Sequence, residues 1–491
     1  MKKSVLVPLI VATALFMENT DSTVIATSLP AIAADIGVSP IALKLALTSY
    51  LVSLAVFIPV SGWMADRFGA RTVFRLAMVV FMAGSLACSQ AGSLEGFVLA
   101  RFIQGMGGAM MVPVGRLVLL RTVPKQELVS ALAYLTVPAL VGPVVGPPLG
   151  GFITTYLDWR WIFFINIPIG VTGIVLATAF IDNIREDDVA PLDLAGAALA
   201  GAGLAALMLA FSSGGGHILS PAAAIGLGGV GAALVGLYLA HSRRVETPVL
   251  NLALLRISTF RVSVLAGSLF RIGAGAIPFL LPLMLQEGFG MTPAHSGMIT
   301  FVSAVGALFT KTLASRVLRR FGFRRVLGFN LVLASAFVAS YGFFSAATPL
   351  AVMLGVLFLG GCLRSMQFTA FNAIAYAEIE PKDMSSATSL YAVAQQLSLA
   401  MGVALGASVL QAAAWLRSGV DTQIAAADFM PAFLAVGAVS ALGALLIPSL
   451  AADAGAELSG HVARGAPRAG DGSARKATAE AVSQHPRAGE G

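Results

Sequence analysis

Charge is what this chain has least of. Asp, Glu, Lys and Arg make up 11 % of its 491 residues and hydrophobic side chains 57 %, whereas soluble domains carry roughly a quarter charged and just under half apolar residues. That balance excludes a soluble globule and sets the class as an integral membrane protein. Cysteine is nearly absent: Cys88 and Cys362 are the two in the chain. Both fall in apolar segments where no further ligands stand ready for a metal cage, so both read as small core residues. Five histidines, two of them (His461 and His485) beyond the last apolar run, form no HExxH or nucleophile-and-base pattern, and no Walker-type glycine loop is present. Those absences predict a protein that is not an enzyme, needs no cofactor or metal and draws its energy from an ion gradient. Glycine, by contrast, is abundant at 52 residues. It lies without a three-residue period inside Ala, Leu and Val runs, which suits close helix packing in a membrane rather than collagen or disorder.

Apolar runs long enough to cross a hydrocarbon core, about 20 residues each, fall near 6–30, 42–64, 73–92, 96–119, 128–152 and 161–181. Two more lie near 192–212 and 219–241, and six near 259–286, 293–314, 325–345, 348–377, 387–414 and 428–450. The predicted architecture is therefore all-α with 14 transmembrane helices in a 6 + 2 + 6 order. Its divisions are 1–181 for the first six helices, 182–256 for two accessory helices and a linker, 257–452 for the last six, and 453–491 for a disordered tail rich in Ala, Gly, Arg and Ser. The opening MKKSVLVPLIVATALF has the outline of a secretory signal peptide. Glu18 and Asp21 interrupt it and thirteen further runs follow, so it reads as an uncleaved first span.

Basic residues set the expected orientation, because Lys and Arg are retained on the cytoplasmic side. With the N-terminus inside, 23 of the 31 fall in inside segments, three (Lys44, Arg160 and Arg417) outside, and five (Arg101, Arg116, Arg271, Lys311 and Arg364) within spans. Both termini are expected in the cytoplasm. The net charge of +7 then belongs to the membrane-facing cytoplasmic surface, and no nucleic-acid partner is called for. A multi-pass protein of the cytoplasmic membrane, surrounded by lipid and monomeric, is the expectation.

One short repeat stands out. RFGAR at 67–71 follows the second span and RFGFR at 320–324 follows the second of the last six. Equivalent positions in two six-helix sets suggest the internal symmetry of transporters that rock two bundles about a midplane site. The residues at this point resemble the major facilitator superfamily, and within it the fourteen-helix drug:proton antiporter branch. Gly62, Asp66, Arg67, Gly69 and Arg71 fit that family's G-x-x-x-D-R-x-G-x-R loop, with Thr72 where a second basic residue is common. Arg101, Gln104 and Gly105 fit its R-x-x-Q-G motif, and GPVVGPPLGG at 142–151 fits the antiporter motif of the fifth helix. TDSTVIATSLPAIAADIG and WRWIFFINIPIG look like signatures of the branch. The likeness runs from about residue 6 to 450 and implies two pseudo-symmetric six-helix bundles.

Candidate site residues follow from charge at membrane depth, where a carboxylate costs about 2.5–3.5 kcal/mol and so faces a cavity or a partner. Glu18 and Asp21 lie three apart on one helical face. The residues alone leave open whether they load a proton or form a structural bond; the resemblance implies that Asp21 is the coupling acid. It also implies a part in proton transfer for Arg101, whose fixed charge would hold the acid ionised. A substrate cavity is predicted at Gln104, Arg271, Arg364, Gln367, Phe371, Gln395 and Gln396, with bonds between helices as the competing reading. Gly62, Asp66, Arg67, Gly69 and Arg71 are expected at a cytoplasmic gate. Gly142, Gly146, Pro147, Gly150 and Gly151 are expected at a hinge or sealing seam; the link to export comes from the resemblance.

The expectation is a proton-coupled exporter of small, lipophilic compounds working by alternating access. A metabolite exporter or importer for an amino acid, sugar or siderophore is the alternative on the same fold, and a non-transporting membrane receptor is the alternative outside it.

Overall fold

The computed structural model describes residues 3–123, 128–185, 191–213, 219–245, 248–380, 383–419 and 424–459. The described residues are helical with no strand. The first set comprises α1 (Lys3–Ile36), α2 (Lys44–Phe68), α3 (Ala70–Gln90), α4 (Leu94–Thr122), α5 (Leu128–Tyr156), the single turn α6 (Trp161–Phe164) and α7 (Asn166–Phe180). A hairpin follows, α8 (Leu194–Ser212) and α9 (Pro221–Ser242). The last set comprises α10 (Ser258–Leu283), α11 (Pro293–Phe321), α12 (Phe323–Ser340), α13 (Leu350–Ile374), α14 (Met384–Ser418) and α15 (Phe429–Leu442), with a short α16 (Ala456–Ser459) behind it. Thirteen helical spans among the described residues are long and apolar enough to cross a bilayer, and the uncharged, 29-residue α5 makes a fourteenth. Residues 460–491, most of the tail expected to be disordered, and the loop at 214–218 lie outside the described residues; 456–459 of the tail form the helical turn α16.

The helices start where their sequences supply a cap. Ser93, Asp193, Ser220 and Thr292 accept hydrogen bonds from the backbone N–H groups of Gly96, Ala223 and His295 for the three hydroxyls and of Gly196 for the carboxylate. Pro221 and Pro293 occupy the first helical position, where the missing N–H costs nothing. The sixth span is interrupted: α6 and α7 join at Ile165, so that Asn166 opens a new helix. The last span also changes form, passing from α15 into a tighter 3₁₀ segment at Gly443–Ser449.

Large apolar side chains cover the outside. Ile225, Leu445 and Phe329 are about three-quarters exposed, an arrangement that only a hydrocarbon surrounding makes favourable. Pairing between helices repeats in the two sets: α1 with α5 as α10 with α14, α2 with α4 as α11 with α13, and α3 with α4 as α12 with α13. Contacts between the sets repeat as well, α5 on α11 and α14 on α2. The accessory α8 packs on both α2 and α14, straddling that second seam.

An even number of crossings puts both ends of the chain on one face, here the terminal face; the opposite one is the distal face. At the distal side one apolar core is built from both sets, running from Val24, Leu29 and Phe97 to Leu283, Leu357 and Phe433. Toward the terminal face the two larger cores are separate. Val11, Phe74 and Met111 belong to one, Phe270, Leu327 and Phe371 to the other. The sets share a large core distally, and toward the terminal face a smaller one that joins Ala55 of α2 to Leu390 and Tyr391 of α14 through the accessory hairpin.

Candidate functional site

Asp21 sits in the middle of α1 and is clasped by three donors from two other helices. Arg101 Nη1 lies 2.6 Å from its Oδ2, with both side chains 1 % exposed. Gln104 Nε2 and Asn166 Nδ2 donate to Oδ1 at 2.8 and 2.9 Å. The same two amides donate to Ser85 Oγ on α3, each at 2.8 Å, and Arg101 Nη1 also donates to Gln104 Oε1 at 2.5 Å. The guanidinium lies 4.3 Å above the Tyr50 ring. A buried ion pair needs its remaining lone pairs and protons bonded; here both carboxylate oxygens are, while Arg101 Nε is left without a partner. The close approach of α3 to α4 that brings Ser85 into reach needs Gly84, where a Cβ would stand 2.5 Å from the Gln104 backbone.

Glu18 lies one turn from Asp21 toward the terminal face. It is half-buried, and its Oε2 has no hydrogen-bond partner. Ser85, Tyr50 and Asn166 went unmarked in the sequence because they are neutral and common. The break in the sixth span at Ile165 was the available signal for Asn166.

A cavity of about 270 Å³ lies between the two sets, with Thr23, Ala26 and Thr27 of α1 and Pro143, Val144 and Pro147 of α5 on one side. Helices α10, α11, α13 and α14 form the other side. Of the residues expected to line a substrate cavity, the structure brings Arg364 to this wall and leaves the others off it. Gln104 is spent on Asp21 and Ser85. Gln367 is buried against α12, donating to Leu327 O and accepting from Asn330 Nδ2. Phe371 packs against Phe270 in the terminal-side core. Gln395 and Gln396 are half-buried on α14, a turn short of Leu399, which does line the cavity. Arg271 is fully buried, donating to Asn372 and to the Tyr391 hydroxyl, while its Nε and Nη1 have no partner. Helical spacing tells which side chains share a face but not what that face meets, which is why polar residues that bond neighbouring helices looked like cavity wall.

The glycine-rich segment of α5 stays one continuous helix with two contact faces. Gly142, Gly146 and Gly150 lie against α1 from Phe16 to Thr27, whereas Gly151 and Pro147 meet α11 of the other set. A Cβ on Gly151 would stand 2.4 Å from Pro293 O, and one on Gly297 would stand 2.3 Å from Pro147 O. Ala294 N donates to Thr155 Oγ1 at 3.0 Å beside them, and Gln286 Nε2 to Thr27 O at 3.0 Å.

In the expected gate, Gly62 and Arg67 are exposed and Asp66 is half-buried. Arg71 Nη1 donates to Ile181 O and Thr72 N to Asn183 Oδ1, bonds that stay within the first set. Gly69 has a φ of 91°, open to glycine without strain.

A membrane-spanning helical fold with an interior acid and a cavity between two similarly paired helix sets defines a secondary transporter. The Major Facilitator Superfamily model matches residues 11–238 and 263–480, and the chain belongs to that family; it is a transporter and not an enzyme. It is 36 % identical over 446 residues to the protein of Klebsiella pneumoniae named "Putative multidrug resistance protein MdtD", covering 91 % of this chain and 94 % of that one. The protein of the same name in Yersinia pestis is 36 % identical over 462 residues, covering 93 % and 97 %. Among solved structures, that of a D-xylose-proton symporter superposes with a TM-score of 0.65 at 15 % identity, over 90 % of this chain and 96 % of that one, a likeness of fold alone.

Proposed function

We propose that this transporter is a proton-coupled exporter, a drug:proton antiporter of small lipophilic compounds, with both termini in the cytoplasm of a bacterial-type inner membrane. The observation that carries the reading is the buried clasp on Asp21, two residues before the cavity-lining Thr23 and six before Thr27 on the same helix. The density of basic residues assigns the terminal face to the cytoplasm. With the larger shared core on the distal side and a smaller one through the accessory hairpin on the other, we read the described state as inward-facing, ready to take substrate from the cytoplasm or inner leaflet.

Coupling follows from what neutralising Asp21 does. A proton on the carboxyl removes the charge that holds Arg101, and two amide donors lose half their acceptor strength, since charge-assisted hydrogen bonds are about twice as strong as neutral ones. Because α5 packs closely along α1, release of α1 moves the α1–α5 wall of the cavity as a unit. Glu18, with an unbonded oxygen a turn nearer the cytoplasm, is the relay by which the proton leaves. A proton moving inward brings about 2.3 kcal/mol per 100 mV of membrane potential. Substrate and proton therefore exchange in opposite directions. The multidrug name of the relatives supports lipophilic cargo.

The test is flux in proteoliposomes under an imposed pH gradient. Asp21→Asn keeps the shape and most hydrogen bonds but cannot carry a proton, so proton-linked efflux should fall to that of empty vesicles while membrane insertion stays normal. Efflux at the wild-type rate would remove Asp21 from the coupling role.

A further inference from the structure

We propose that the central cavity binds an anion: an amphipathic substrate with an apolar body and a single carboxylate, held between Arg364 and Lys311. This rests on the transport reading and adds to it the chemical class of the cargo.

The two sets divide charge unequally at membrane depth. Glu18 and Asp21 lie in the first set, and Asp21 is already paired with Arg101. The last set carries Arg271, Lys311 and Arg364 within its spans. Its described carboxylates sit at or beyond the helix ends, where Asp428 bonds Arg417 and Glu378 accepts from Thr259. Lys311 and Arg364 both line the cavity, and no acid does. Each has only a neutral hydroxyl as its described partner: Arg364 Nη2 donates to Ser303 Oγ at 3.0 Å, and Lys311 Nζ to Thr369 Oγ1 at 2.9 Å. A hydroxyl orients a cation but does not neutralise it. A fixed positive charge in a span costs about 2.5–3.5 kcal/mol and is ordinarily offset by a counter-charge. Here half-buried Arg364 and the more exposed Lys311 share one wall with no counter-charge among the described residues. Arg271 adds a third behind that wall, its guanidinium 5.7 Å from the Phe368 ring, which lines the cavity.

The rest of the wall is suited to the other end of such a molecule. Pro143, Val144, Pro147, Ile277 and Leu281 give an apolar lining around the two cations, the usual form of a small-molecule site with few, well-placed polar groups. A lipophilic cation would meet like charge there, which repels as strongly as it would attract an anion.

Three isosteric probes separate the possibilities: 2-naphthoate, 2-naphthamide and 2-naphthylmethylammonium, titrated calorimetrically into the full-length protein in phosphatidylcholine nanodiscs. The carboxylate should bind at least about tenfold tighter than the amide, and the ammonium most weakly, a tenfold ratio being what one charge-assisted contact typically supplies. In Arg364→Gln/Lys311→Gln the preference should shrink to about twofold or less. The wild-type comparison needs no variant to fold, and equal or tighter binding of the amide or ammonium would overturn the proposal. Replacing half the lipid by phosphatidylglycerol tests the other anion source. Naphthoate binding that persists supports a soluble carboxylate, whereas its displacement by the lipid would assign the site to headgroups and overturn it. Proton movement in liposomes keeps the two readings apart. Flux driven by the amide or ammonium but not by naphthoate sinks the anion site and leaves antiport standing. Charge-selective naphthoate binding with no proton flux from any probe sinks antiport and leaves the anion site.

Discussion

Arg71 and Arg324 hold corresponding ends of the molecule by the same bond. Arg71 Nη1 lies 3.1 Å from Ile181 O at the end of the first set's sixth span, and Arg324 Nη2 lies 3.1 Å from Pro448 O at the end of the last set's sixth. Each follows by two residues a glycine of positive φ, Gly69 at 91° and Gly322 at 73°, that turns the chain from its set's second helix into the third. The repeated pentapeptide is therefore a structural clamp used twice: a helix C-terminus carries partial negative charge, and a guanidinium placed there is favourable.

Alanine at either arginine should cost about 1 kcal/mol, the value of a charged hydrogen bond after discounting for exposure. Arg71→Ala should be the more harmful, because its bond is the better buried. Thermal unfolding in detergent reads the difference. Variants as stable as the parent would show that neither bond matters. Gly69→Ala should cost more than either, since its φ is strained for alanine and a Cβ would stand 2.3 Å from Asn183 Oδ1.

Asp21 and Arg101 were legible in the sequence for a physical reason: charge inside an apolar run must be compensated, so its presence alone marks a site. Fourteen spans were legible for the same reason, since the bilayer fixes their length. Ser85 and Asn166 were not legible. Neutral polar residues are inexpensive in a helix, and their meaning comes from partners 81 residues apart in sequence. Gln104 and Gln367 were visible with two readings, cavity wall or bonds between helices, because the sequence shows that a helix has a polar face and the fold decides whether that face meets a cavity, an acid or another helix.

Arg101→Ala should destabilise the protein by about 3–5 kcal/mol, the usual effect of leaving one member of a buried ion pair alone. Asp21→Asn should cost at least as much, because it leaves the buried Arg101 guanidinium uncompensated and arginine, unlike a stranded carboxyl, cannot shed its charge. Combining Asp21→Asn with Arg101→Ala should recover much of the stability lost in Arg101→Ala without restoring proton-linked flux. Unfolding midpoints of the four proteins close the cycle. A double variant at least as unstable as the two single losses added together would mean that the pair is not coupled in the folded state.

Asp193 caps α8 by accepting from Gly196 N at 2.8 Å and pairs with His241 Nε2 of α9 at 2.7 Å. Burial acts to raise its pKa, but the His241 bond and the Gly196 N–H stabilise the charged form and hold the carboxyl below its ordinary 3.8. A depressed folded-state pKa gives stability that is present above the ordinary value and is lost as pH falls through the folded one. The accessory hairpin should therefore loosen below about pH 4. Asp193→Asn keeps a good helix cap and should lack that acid-dependent loss relative to the parent. Hydrogen exchange of α8 and α9 between pH 3 and 7 provides the comparison, and parallel profiles would exclude Asp193 as the source.

Closure of the distal side depends on two glycines, one from each set. Gly151 on α5 and Gly297 on α11 each lie where a single added carbon would collide with backbone of the opposite set, at Pro293 O and Pro147 O. Neither backbone can step aside without parting the two helices. A valine at either position should therefore act as a wedge that disfavours the distal-closed arrangement while leaving each set's own core untouched. Spin labels on the distal ends of α5 and α11 should report a longer distance in Gly151→Val and Gly297→Val than in the parent. Access from the terminal face to a cysteine placed at Ala307, in the cavity wall, should fall in parallel. The effect should be specific to these positions: Gly355, whose added carbon would meet nothing within 4 Å, should tolerate valine with both readouts unchanged. Distances that stay at the parent value in both wedge variants would mean that the distal seam yields to side chains and does not set the state of the transporter.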